Sequence, residues 1–227
     1  MEFSLKLEDI SKFKKITNFI KSFSNEVILY VDRYGMKVKA RADDNLFVLE
    51  TIVRVINIDL EKSVEIAIDS EHLHKVVNSL TGMYEFKLQD EGKLTIRNET
   101  NSYSVNLIDP EFMPTISSDI IYDNIQMLES EMIVSGIKSA IDIGETFVLG
   151  ADMVLKVSGS FCEADIVIKP NVETDSVRQL DLTKKQLVSL SKLSKLNKKI
   201  NISMSDEYLL RAIVIIDTIG VAKLYLK

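Results

Sequence analysis

Few residues in this 227-residue sequence could do acid–base or nucleophilic chemistry: His72 and His74, Cys162, and the acid pairs Asp43-Asp44 and Asp206-Glu207. Two positions apart on a helix, the histidines diverge by about 160° and share a metal poorly. One cysteine and two histidines also fall short of a zinc ligand set. A Ser-His-Asp triad would need one of those histidines, and no Gly-x-Ser-x-Gly elbow is present. Gly-x-Gly-x-x-Gly and P-loop patterns are missing as well, so no nucleotide cradle is visible. The acid pairs read as solvated turn carboxylates, Cys162 as a small buried hydrophobe, and both histidines as surface residues. The expectation is a protein that is not an enzyme and uses no metal and no cofactor.

The chemistry that stands out is anion binding by lysine. The chain carries a formal net charge of −6, yet Ile10 to Ser24 (ISKFKKITNFIKSFS) and Thr183 to Lys199 (TKKQLVSLSKLSKLNKK) together hold ten lysines and no acid. Without those ten, 18 basic residues face 34 acidic ones, a charge of −16 for everything else. At about 100° per residue, Phe13, Ile16, Ile20 and Phe23 share one side of a helix, with Lys14, Lys15 and Lys21 on the other. Lys12 lies beside the apolar stripe, where its stem can snorkel. In the second segment Leu187, Leu190 and Leu193 form the stripe, and Lys184, Lys185, Lys192, Lys195 and Lys199 occupy an opposing arc of about 100° that Val188 interrupts. Asp181 or Thr183 suits the helix start, and Asn197 with its two following lysines suits the end.

Solvated helix faces normally mix signs, because like charges four residues apart repel by about a few tenths of a kcal/mol. Two acid-free faces on an acidic chain therefore imply a polyanion. Phosphates contacted through lysine, with no base-reading motif, imply sequence-independent binding of duplex DNA. The alternative is a non-enzymatic two-domain interaction module whose lysine helices meet an acidic partner or a membrane surface.

The remaining sequence supplies the elements that position those faces. EVILYVD, MKVKAR, LFVLETIVRVI, SVEIAID, YEFKLQ, KLTIRN and YSVNLI alternate like strands in the first half. FVLGAD, VLKVSG, ADIVIKP, VRQLDL, KINISMS, LLRAIVII and VAKLYLK do so in the second. Between the halves, IDPEFMPTISSD holds two of the three prolines and reads as an extended connector. AIDSEHLHKVVNSL matches LDLTKKQLVSLSKL, Asp69 against Asp181, 112 positions apart. The fold class is therefore α+β, with helices on one face of curved antiparallel sheets in a duplicated unit. The expected domains are 1–108 and 123–227, joined by a connector at 109–122. Helices are expected near 8–24, 70–81, 129–142 and 183–197. The second helix shows His74, Lys75 and Asn78 outward, and the third carries Lys138 beside Glu131 and Asp142. One cysteine suits a reducing compartment, and neither a leader nor a run of about 18 apolar residues is seen, so the expectation is soluble and intracellular.

Gly35 to Glu50 (GMKVKARADDNLFVLE) resembles the strand-loop-strand of DNA sliding clamps of the proliferating cell nuclear antigen type, a family with archaeal and virus-encoded members. Ala140 to Gly159 resembles the end of that family's second-domain helix, its Gly-acid turn and the strand closing on Ser-Gly. ISMSDEYLLRAIVIIDTIGVAKLYLK resembles its last three strands. The sequence departs from the family pattern around Ala42 to Asp44, where an Asp-Ser-Ser stretch is common, and at Lys227, where the family carries a proline-containing tail.

The resemblance implies a homotrimeric ring around duplex DNA that serves polymerase processivity in replication and repair. Lys14, Lys15, Lys21, Lys75, Lys138, Lys184, Lys185, Lys192, Lys195 and Lys199 would face the DNA. The subunit boundary would join Tyr103, Val105 and Leu107 to Ala164, Ile166 and Ile168, edge to edge. DNA polymerase, clamp loader, flap nuclease and ligase would be partners, docking a short hydrophobic motif on Leu46, Val48, Phe112, Met113, Leu209 and Tyr225. No membrane role is implied. The setting would be the cytoplasm or nucleoid of a prokaryotic or virus-infected cell.

Overall fold

The computed structural model describes residues 3–7, 10–42, 47–53, 55, 57–60, 62–90, 92–109, 120–172, 174, 177–205, 209–216 and 220–227. Two compact units divide the chain, Met1–Pro114 with Ile216–Ala222, and Thr115–Ile215 with Lys223–Lys227.

The first unit runs β1 (Phe3–Leu7), α1 (Ile10–Ile20), β2 (Glu26–Asp32), β3 (Gly35–Arg41), β4 (Phe47–Val53), β5 (Asn57–Leu60), β6 (Val64–Asp69), α2 (Ser70–Ser79), β7 (Tyr84–Asp90), β8 (Lys93–Arg97) and β9 (Ser102–Ile108). Its strands lie in the order β4-β3-β2-β6-β9-β8-β7-β1-β5. Alternation decides which face is buried. In β8, Leu94 and Ile96 point inward while Lys93 and Arg97 reach solvent. Phe13 of α1 packs edge-on against Phe86 at 5.9 Å and 88°, with Tyr84 at 6.5 Å. Such ring pairs add about 0.5–1.5 kcal/mol beyond their burial. Leu73 and Val77 of α2 complete the layer under the helices. At the start of β3, Gly35 has φ +150°, and a Cβ there would sit 3.2 Å from the Val53 carbonyl oxygen, which favours glycine.

The second unit runs β10 (Tyr122–Glu129), α3 (Ser130–Ile143), β11 (Thr146–Gly150), β12 (Val154–Ser158), β13 (Glu163–Val167), β14 (Gln179–Leu182), α4 (Lys184–Ser194), β15 (Lys199–Ser205), β16 (Leu210–Ile216, all but its last residue) and the Lys223–Leu226 end of β17 (Gly220–Leu226). Strands β10-β15-β16-β17 are neighbours in one sheet, and β13-β12-β11-β14 form another. Ile133, Ile137 and Ala140 of α3 and Leu187, Leu190 and Leu193 of α4 are buried. The α+β class, the four helices among the described residues and the antiparallel pairing follow the alternation and helical periods of the sequence.

Several expectations need correction. Three helices stop short of their expected ends, α1 at Ile20, α2 at Ser79 and α4 at Ser194, and Phe23 is buried from the turn that follows α1. LFVLETIVRVI holds one described strand, shorter than the stretch, and the next strand begins beyond it. β4 ends at Val53 and a separate β5, missed in the sequence, pairs with β1. Cys162 is exposed rather than buried, because it precedes an edge strand. His74 is buried rather than outward-facing, held between α1 and α2.

The internal match also shifts by two residues. Asp69 caps α2, accepting a bond from the His72 amide at 2.7 Å. Its counterpart is Thr183, 114 positions on, which caps α4, while Asp181 lies in β14. Thr183 and Gln186 form a reciprocal box: the Gln186 amide donates to Thr183 Oγ1 at 3.2 Å, and the Thr183 amide donates to Gln186 Oε1 at 2.8 Å. Thr183→Ala is expected to cost about 1 kcal/mol, read as a lower urea midpoint at unchanged m-value.

Candidate nucleic-acid interface

In the first unit the candidate lysines differ in freedom. Lys15 and Lys21 are exposed. Lys14 is half-buried and donates to the Asn78 carbonyl near the end of α2 at 3.1 Å, so it ties the two helices together. A cation there also meets the negative end of the α2 dipole. Lys75 pairs with Glu71 at 2.8 Å on one exposed helix face. That contact holds the Glu71 carboxyl below the ordinary carboxylate value and raises Lys75.

Beneath this face His74 Nδ1 lies 3.0 Å from Thr17 Oγ1. The threonine hydroxyl donates to the Lys14 carbonyl at 3.1 Å, which leaves its oxygen to accept from Nδ1–H. Burial, and then the nearby Lys21 charge, hold the His74 pKa below the usual imidazole value. Folding therefore disfavours protonation. This contribution to stability is complete above about pH 6.5 and declines as pH falls from there through the lowered folded value. A wild-type urea midpoint that drops between pH 7.5 and 5 is expected, with a flatter profile for His74→Asn.

In the second unit Lys184, Lys185, Lys192 and Lys195 of the α4 segment are all exposed. Lys138 is exposed on α3, and Lys199 on β15 lies 3.9 Å from Glu129. Among the described residues Lys138, Lys192 and Lys195 have no acidic partner. The first turn of α4 holds Lys184 and Lys185 and no acid. Positive charge at a helix N-terminus opposes the dipole and costs about 0.3–1 kcal/mol per residue. The capping box offsets part of that. Such a placement weakens the helix and strengthens its pull on an anion.

The other candidate positions are placed as follows. Leu46, Phe112 and Met113 lie outside the described residues, as does the Val48 side chain. Leu209 and Tyr225 are buried in the second unit, each 8% exposed. Tyr225 lies tilted against Tyr122 with ring centroids 6.5 Å apart, and the Tyr122 ring also carries the Arg211 guanidinium at 3.9 Å. Val105 and Ile168 are buried within their own units, and Tyr103, Leu107, Ala164 and Ile166 are half-buried. Strand β13 pairs with β12 alone among the described residues, so one edge is open. Strand β9 pairs with β8 from Ser102 to Asn106 and with β6 through Leu107 and Ile108, leaving the other edge of its first five residues unpaired among the described residues. Among those residues no cluster of three His, Cys, Asp or Glu side chains is placed to hold a metal ion, and no helix is long and apolar enough to cross a membrane.

No protein-family model matches the chain, and no curated protein does. Solved structures do. The proliferating cellular nuclear antigen from Entamoeba histolytica superposes with a TM-score of 0.85 at 18% identity, covering 99% of this chain and 97% of that one. The chain has the fold of that protein.

Proposed function

We propose that this chain is a DNA sliding clamp: three copies close into a ring around duplex DNA and tether polymerase and other replication or repair proteins to it. The observation that carries the reading is the acid-free α4 lysine face, with Lys184 and Lys185 set against the helix dipole, on an otherwise acidic chain. A clamp fold gives that face its use. Lysines on the helices meet phosphates directly or through water. Contacts of that kind carry no sequence information and break and re-form as the duplex moves. The acidic remainder repels DNA from other surfaces.

The open edges support closure. An unpaired strand edge is a template for another chain, and joining β9 of one copy to β13 of the next removes both edges while generating a closed cyclic assembly. Leu209 and Tyr225 would form part of the floor on which a partner's hydrophobic motif docks. Polymerase, clamp loader, flap nuclease and ligase are the partner classes that this reading implies, in a prokaryotic or virus-infected cell. No catalysis, metal or cofactor enters the mechanism.

Sedimentation equilibrium over a concentration series tests the assembly. A species of three times 25.7 kDa is expected. A monomer persisting at high concentration would overturn the homotrimer.

A further inference from the structure

Along β16 in the second unit alternate residues leave the core: Leu210, Ala212 and Val214 are buried, while Arg211, Ile213 and Ile215 face outward. The register sets Arg211 opposite Ser203 of β15, and Ile213, Asn201 and Met127 in one row across β16, β15 and β10. Met127 and Ile215 are each more than half exposed, as is Ile125 on β10. Exposed apolar side chains gathered in this way mark a contact surface. At the far end of the face Lys199 and Glu129 offset each other at 3.9 Å. Arg211 is different. Among the described residues it has no acidic partner, and its Nε is shielded from solvent with no hydrogen-bond partner. Its guanidinium lies on the Tyr122 ring, with Cζ 3.9 Å from the centroid. That contact orients the planar group and removes water from one side, so a carboxylate meeting its remaining N–H groups gains more than it would from a freely hydrated cation.

We propose that Arg211 makes this face selective for an acidic peptide: an extended segment of a partner protein with the pattern apolar-x-acid-x-apolar. This selectivity rests on the docking role proposed for Leu209 and Tyr225, and adds the chemistry of what docks. Leu209 immediately precedes β16 and stands two positions from Arg211, a separation of about 7 Å along an extended chain. A segment lying along β16 matches that spacing with its own alternate residues. Its first apolar side chain meets Leu209, the carboxylate two residues on pairs with Arg211, and the apolar residue two further on covers Ile213 and Met127. A nucleic acid would satisfy the guanidinium but leave Ile213, Ile215 and Met127 facing water.

Fluorescence anisotropy on the full chain tests this with labelled Gly-Ser-Leu-Thr-Glu-Thr-Ile-Ser-Gly and with the same peptide carrying glutamine or lysine at its centre. The glutamate peptide is expected to bind about tenfold tighter than the glutamine one, through the charge-assisted bond, and the lysine peptide weakest of all, because like charges meet. Arg211→Gln should erase the difference between the glutamate and glutamine peptides, and Arg211→Lys should restore part of it. Exchanging the peptide leaves the protein untouched, so misfolding cannot mimic the wild-type order, and a urea midpoint checks each variant. Equal affinity for all three peptides, each weakened by Leu209→Ala, would overturn the acidic selectivity and leave hydrophobic docking standing. A preference for glutamate that survives Arg211→Gln would overturn the role of Arg211. Binding of no peptide would overturn the docking role and the selectivity together. Arg211-dependent selectivity in a chain that stays monomeric and binds no duplex would support this surface while the clamp reading fails.

Discussion

Replacing Lys184, Lys185, Lys192 and Lys195 together with glutamate is expected to weaken duplex binding by about 10²- to 10³-fold near physiological salt, because four phosphate contacts per protomer are lost. The slope of log K against log salt should fall by about 0.9 for each contact. Folding should not suffer. Lys184 and Lys185 oppose the α4 dipole, so glutamate there is favourable by about 0.3–1 kcal/mol per residue, while Lys192 in the last turn and Lys195 at the C-cap complement it, so glutamate there costs a similar amount and the two effects roughly cancel. Filter binding across a salt series and a urea midpoint on the same sample check both halves. Unchanged affinity would remove the lysine face from the mechanism. Lost affinity with a lower midpoint would point instead to unfolding.

The second large effect concerns closure. Ser104 and Asn106 are exposed on β9, and Glu163 and Asp165 are exposed on β13. Ser104→Glu with Asn106→Glu places acids against acids wherever these edges join. Like charges brought together at an interface cost several kcal/mol, so association should weaken by about 10²-fold or more at each boundary. The outward positions leave each protomer's core untouched. Sedimentation equilibrium should then give 25.7 kDa at concentrations where the wild type is trimeric, with an unchanged thermal midpoint. A trimer that survives both substitutions would place the boundary elsewhere.

The second prediction depends on strand edges, which the sequence reveals less well than helix faces. A lysine arc is legible because helical periodicity is local: the spacing of Leu187, Leu190 and Leu193 fixes which side is buried, and the lysines follow. Strand alternation located most of the sheet for the same reason. Whatever depended on neighbours distant in sequence was harder to read. His74 falls on the outward side of its own helix, yet α1 lies over it and Thr17 bonds it. Cys162 has a residue type usually buried, but its place beside the β13 edge exposes it. Lys14 looked like a free cation and is tied to the α2 end through a carbonyl 64 residues away. Capping was only half legible, since Thr183 and Asp181 both suit a helix start and geometry alone selects the threonine.

The central claim is topological: the protein stays on DNA because it surrounds it. The direct measurement threads the protein onto a linear duplex, blocks both ends with bulky protein caps, and then washes at a salt concentration that screens phosphate contacts. The account predicts that the capped duplex retains the protein through the wash and that cutting the duplex between the caps releases it. Equal loss from capped and open duplexes would contradict encirclement, leaving an electrostatic binder with a clamp fold.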